Sequence, residues 1–178
     1  MKTCIKKLSV IALLIFTLHS TAQTSNPDNA QQLKYLLALH GNWESPVTIT
    51  MGDKQQKATY YADFSKTADG NGIILKEQVD IPGVGKSIAT DLAGVDPYDG
   101  KVHWYTVDNM GTTHEHIGYW SDPQHFSMTH HSIRDGKKFT EVITIEVKNK
   151  DKLAVKQINS TDGQVEAMIE GNFHRRKG

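Results

Sequence analysis

Leu39-His40-Gly41-Asn42-Trp43 is where the hydrophobic pattern of this chain changes period. Before it, Leu33, Leu36, Leu37 and His40 recur at helical spacing, with Gln31, Gln32 and Lys34 off that face. Asn26 ahead of Pro27 reads as an N-cap with proline at the first helical position. Gly41 suits a helix end, because glycine takes φ > 0 without a Cβ clash. Trp43 then opens the first strand with the largest apolar side chain available, fit to plug one end of a β structure. The expectation is one short amphipathic helix acting as a lid on a sheet.

From Trp43 onward the period is two. Val47, Ile49 and Met51 alternate with Thr48 and Thr50, and Ala58, Tyr60, Ala62 and Phe64 alternate with Thr59, Tyr61 and Asp63. Further runs cover 73–79, 86–95, 102–107, 112–120, 125–133, 139–147, 153–159 and 165–173. Turn chemistry separates them, as in Gly52-Asp53, Asp69-Gly70-Asn71-Gly72, Pro82-Gly83, Asp96-Pro97-Tyr98-Asp99-Gly100, Asp135-Gly136 and Asp162-Gly163. The turns recur roughly every 12 residues, the spacing of an antiparallel all-β domain. Ten strands joined by short turns make an up-and-down meander, and closing it into a barrel removes the exposed edges. A barrel of that size leaves interior room.

Ahead of the helix lies an address. Lys2, Lys6 and Lys7 precede an apolar run from Leu8 to Leu18 that is too short to span a bilayer. Ser20 and Ala22 supply small residues before Gln23, so residues 1–22 read as a secretory signal peptide cleaved near Ala22-Gln23. Residues 23–29 read as a disordered linker and 30–177 as the domain. Cys4, the one cysteine, precedes the apolar run, so the mature chain is expected to carry neither a lipid nor a disulfide. Taking three lysines from 20 basic residues leaves 17 against 20 acidic ones. Such a balance argues against nucleic acid and anionic membrane as partners. The expected setting is secreted or periplasmic, with no membrane insertion after processing.

Four stretches carry a resemblance: Leu39-His-Gly-Asn-Trp43, Gly94-Val-Asp-Pro-Tyr-Asp-Gly100, Asp108-Asn-Met-Gly111 with Gly118-Tyr-Trp120, and Phe173-His-Arg-Arg176. Together they resemble a family of secreted bacterial lipocalin-like (calycin-type) barrels of unknown function. The resemblance covers the whole mature chain and implies a fold rather than an activity. In lipocalin-like barrels the tryptophan of Gly-x-Trp commonly packs beneath a basic residue of the last strand. By that likeness Gly41, Trp43 and one of Arg175 or Arg176 are structural, the arginine forming a cation–π lid.

Several signatures of chemistry fail. Gly85-Lys86-Ser87 lacks the leading glycine of a phosphate loop, since position 80 is Asp80, and a strand follows it where a helix is needed. His114-Glu115-His116 lacks a second histidine one helical turn on, where Gly118 stands. There is no Gly-x-Ser-x-Gly elbow. No cofactor is required by the sequence.

The histidines remain. Five of them, His114, His116, His125, His130 and His131, fall within one hairpin. If residues 121–124 set Trp120 opposite His125, then His114, His116 and His131 share one face, an open three-histidine zinc site of the hydrolytic kind. The other face is more apolar and is the expected interior. There Asp135-Gly136 pairs His130 with Glu141, Met128 with Ile143 and Phe126 with Ile145, while Glu115, Ile117 and Tyr119 join from the preceding strand. The ligand-binding set is therefore Tyr105, Glu115, Tyr119, Met128, His130 and Glu141, holding a small, largely apolar molecule. A slip of one residue would exchange the faces and put His114 and His116 inside. His174 is a haem-ligand alternative, by likeness to haem-carrying barrels with a histidine near the C-terminus. That likeness lacks the Gly-x-Gly pattern after the tryptophan, where Glu44-Ser45-Pro46 stands.

Overall fold

The computed structural model describes residues 27–83 and 85–177. The expected leader and residues 23–26 of the expected linker lie outside the described residues. One helix, α1 (Asn29–Leu37), precedes ten strands: β1 (Gly41–Met51), β2 (Lys54–Lys66), β3 (Gly72–Ile81), β4 (Gly85–Val95), β5 (Val102–Asp108), β6 (Thr113–Trp120), β7 (His125–Arg134), β8 (Lys137–Asn149), β9 (Lys152–Thr161) and β10 (Gln164–Arg175). Each strand pairs with its sequence neighbour, and β1 pairs with β10, so the meander closes as an antiparallel barrel. Every run of period two becomes a strand.

The helix starts later than the sequence suggests. Its cap is Asp28, whose side chain accepts from the Gln31 N–H at 2.8 Å. The Gln31 side chain accepts in return from the Asp28 N–H at 3.1 Å, a reciprocal capping box. The helix also ends before Gly41, with Ala38 as its C-cap. Gly41 is instead the first residue of β1, at φ +130°.

The buried face of α1 departs from expectation as well, since Gln32 lies on it and His40 does not. Gln32 donates to the Trp120 carbonyl at 2.9 Å and accepts from the Trp120 N–H at 2.8 Å. Its amide thus acts as a strand partner for the end of β6, which is why a polar residue is at home there. Leu36 and Leu39 pack beside it against Trp43 and the barrel core. The Tyr35 ring meets Trp120 edge-on at 5.9 Å. One end of the barrel is thereby sealed.

Arg175 is the basic lid on Trp43, its guanidinium 4.2 Å from the indole ring centroid. The indole N–H donates to the Leu39 carbonyl at 2.8 Å. Arg175 donates to the carbonyls of His40 and of Lys150. Arg176 instead pairs with Asp63 beside Tyr61. Pro46 has no N–H to give, and it falls where the β1–β10 ladder is interrupted, between Glu44↔His174 and Val47↔Gly171.

Two hairpins turn on Asp-Gly with both residues at positive φ, Asp135-Gly136 and Asp162-Gly163. The first sets His130↔Glu141, Met128↔Ile143 and Phe126↔Ile145, as the sequence implies. The β6–β7 register differs from expectation by one residue: Trp120 pairs with Phe126, not His125. The cause lies in the connection. The Asp122 carboxylate gathers the N–H groups of Gln124 and His125, at 2.7 and 3.0 Å, in an Asx-type turn that delays the ladder by one residue. Among the described residues no helix is long and apolar enough to cross a membrane.

Candidate functional site

The register of β6 and β7 decides what faces inward. His114, His116, Gly118 and Trp120 point into the barrel from β6, and Phe126, Met128 and His130 from β7. Met128, Glu141 and the two β6 histidines line a cavity of about 240 Å³. It runs from Trp43, near α1, toward Ile81, Ser87 and Asp108 at the opposite rim. Apolar side chains such as Val47, Phe64, Leu75, Val79, Ile145 and Phe173 make up much of its wall.

The polar part of the wall is concentrated. His116 Nε2 lies 2.7 Å from Glu141 Oε1, and His114 Nε2 lies 3.8 Å from the same oxygen. The other carboxylate oxygen, Oε2, accepts from the Gln157 amide at 2.8 Å. Burial drives the Glu141 carboxyl upward, but the two imidazoles outweigh it and hold the pKa at about 2. The His130 ring stands 4.9 Å from that of His114 and 5.7 Å from that of His116. Its Nδ1 is 2.8 Å from the Glu115 carbonyl, which only accepts, so Nδ1 carries the proton and Nε2 the lone pair. Burial lowers the His130 pKa, which favours the neutral ring.

That hydrogen bond marks a seam. The β6–β7 ladder stops after Ile117↔Thr129, and the side chain of His130 takes up a carbonyl that a strand partner would otherwise satisfy. Gly118 lies next to the seam, where a Cβ would come within 2.4 Å of the Ser127 carbonyl oxygen. Close approach below it and separation above it aim three imidazoles into one space.

Glu77 on β3 and Asp91 on β4 also face the cavity, and neither belongs to the expected site. Tyr60 donates to Glu77 Oε2 at 2.5 Å. Burial, reinforced by the nearby charge of Asp91, pushes the Glu77 carboxyl up to about 8. Burial raises Asp91 too, against the opposing pull of the nearby histidines. The signal for both was in the sequence. Glu77 shares its phase with Ile73, Leu75 and Val79, and Asp91 shares its phase with Ala89 and Ala93. A charge in the apolar phase of a strand is the mark of an inward-facing polar group. Among the described residues no lysine or arginine lines the cavity.

The expected ligand set divides accordingly. Met128, His130 and Glu141 face inward, but Tyr105, Glu115 and Tyr119 stand on the outer surface, because the shifted β6 register turns that phase outward. Glu115 pairs there with His103 at 2.5 Å, which lowers the carboxyl and raises the imidazole. His131, the third member of the expected zinc set, is likewise outside, hydrogen-bonded with Thr140 at 3.1 Å. His114 and His116 are inside with Glu141 instead. His174 is turned outward beside Glu44 at 3.0 Å while Phe173 takes the interior position, so the expected haem ligand does not face the cavity.

No protein-family model matches the chain, and no curated protein matches it. Among solved structures the chain is similar to the S-type phycobiliprotein lyase CPES from Guillardia theta, with a TM-score of 0.55 and 11% identity over 84% of this chain and 96% of that one. Such a likeness speaks for the fold alone, a closed ten-stranded antiparallel barrel.

Proposed function

We propose that this barrel is a binding protein for a small, largely apolar molecule. The body of the ligand lies against the aliphatic and aromatic wall, and its polar group meets the histidine–carboxylate cluster. The observation that carries the reading is the interior itself: a cavity of about 240 Å³ with a largely apolar wall and two imidazoles converging on the Glu141 carboxylate. Pockets for small molecules combine an apolar lining with a few convergent polar groups. A barrel built only for stability would fill that space with side chains. The fold shared with a phycobiliprotein lyase supports the reading by analogy alone. Export belongs to the same proposal. It rests on the basic start, the short apolar run and the small residues before Gln23.

Titration with a neutral apolar fluorophore such as N-phenyl-1-naphthylamine tests the reading, followed by both probe emission and the quenching of Trp104, which lines the cavity. Saturable binding that disappears in Ala89→Phe, a variant that fills the same cavity, is the expected result. Binding unaffected by that substitution would place the probe on the outer surface and remove the support for an interior ligand.

A further inference from the structure

The geometry points to a divalent transition-metal site formed by His114 Nε2, His116 Nε2 and Glu141, inside the barrel. The donor atoms of these three side chains lie within 4.8 Å of one another. Bonds of about 2.0–2.2 Å to one ion require donors no more than about 4.2 Å apart. The two separations to Glu141 Oε1, 2.7 and 3.8 Å, fall inside that limit. Two imidazoles and one carboxylate are a donor set of zinc and neighbouring first-row divalent ions, and it leaves coordination positions for water or a ligand.

The surroundings fit an ion as well. Gln157 donates to the second oxygen of Glu141, which orients the first toward the histidines, as outer partners do for ligating groups. A second, independent observation concerns charge. Asp91 is 3% exposed and lines the same cavity, yet its Oδ1 has no hydrogen-bond partner. A buried carboxylate oxygen left unpaired is costly. Glu77 adds a further carboxyl group to this wall, and among the described residues no lysine or arginine opposes them. A dication beside Glu141 supplies the missing positive charge. This set replaces the three-histidine arrangement that the sequence suggested. It stands apart from the apolar-ligand reading, since the probe titration described above and a metal titration give separate answers.

Protein purified without a metal-affinity tag and stripped by chelator is titrated with Zn²⁺ against a chromogenic chelator, with Co²⁺ as an optical reporter. One equivalent of Zn²⁺ is expected, with visible Co²⁺ bands and a rise in unfolding temperature on adding Zn²⁺. His114→Ala should weaken binding by at least about 100-fold, because even outer partners of a ligand are worth about 10–100-fold. His114 is only half-buried, so this variant tests the site even if His116→Ala or Glu141→Gln fails to fold. His103→Ala, which disrupts the surface group of Asp96, Asp99 and His103, should leave binding unchanged. Wild-type protein that stays folded but takes up no stoichiometric Zn²⁺ would overturn the proposal. So would full-strength binding by His114→Ala.

Discussion

Trp43 is held by three parts of the chain at once. The helix exit takes its indole N–H at Leu39, the first strand carries it, and Arg175 of the last strand covers it. Gly41 is required here for space. A Cβ at that position would lie 1.9 Å from Arg175 Nη1, and φ is +130°, where side chains are strained. Gly41→Ala should therefore destabilise by about 1–3 kcal/mol. In an Arg175→Ala background the cost should shrink, because the clashing group is gone. A double-mutant cycle by urea unfolding reads that coupling, and strict additivity would contradict it. Glu77 makes a different prediction, through pH. Burial and the neighbouring Asp91 push its carboxyl, which faces Tyr60, Asp91 and Glu141, up to about 8 in the folded barrel from an ordinary 4.5. An acid with a raised folded pKa stabilises fully below its unfolded pKa and loses that contribution as pH climbs to the folded one. Stability should fall between about pH 4.5 and pH 8, on the order of a few kcal/mol, and Glu77→Gln should flatten that slope. An unchanged slope in the variant would show that this carboxyl titrates normally.

Among the elements, the strands were readable because each buries one phase, and their turns use residues with few alternatives. Asp135-Gly136 fixes a two-residue hairpin, so the pairing of His130 with Glu141 followed directly. The β6–β7 connection is longer, and its length alone does not settle where pairing resumes. There the Asp122 side chain captures two N–H groups, and the one-residue displacement reverses which face of β6 looks inward. Tyr105, expected in the ligand set, stands outside at 49% exposure, on β5 opposite Glu115. Gln32 was hidden for another reason: a polar residue on the buried face of α1 is invisible to hydrophobic periodicity when its partner is a distant backbone. Gln32→Leu keeps the bulk but leaves the N–H and carbonyl of Trp120 unpaired, at a cost of about 2–4 kcal/mol. Amide exchange at Trp120 should quicken accordingly. Exchange as slow as in the wild type would mean that α1 seals the end without this contact.

For the whole molecule, closure explains both the stability of the shell and the room inside it. Pairing β1 with β10 leaves the barrel without an edge strand. The interior is then divided, with tryptophans and leucines at the α1 end and the imidazole–carboxylate group farther along β6 and β8. Filling the cavity by Ala89→Phe should abolish small-molecule binding while the protein still unfolds in a single cooperative transition. Loss of folding in that variant would mean that the space is too tight to hold a guest. The most direct test is native mass spectrometry of the purified protein beside the same sample after denaturation. The account predicts a small-molecule mass released in stoichiometric amount from the wild type and missing from Ala89→Phe. A bare polypeptide mass under both conditions, from a protein that also leaves an apolar fluorophore dark, would contradict it.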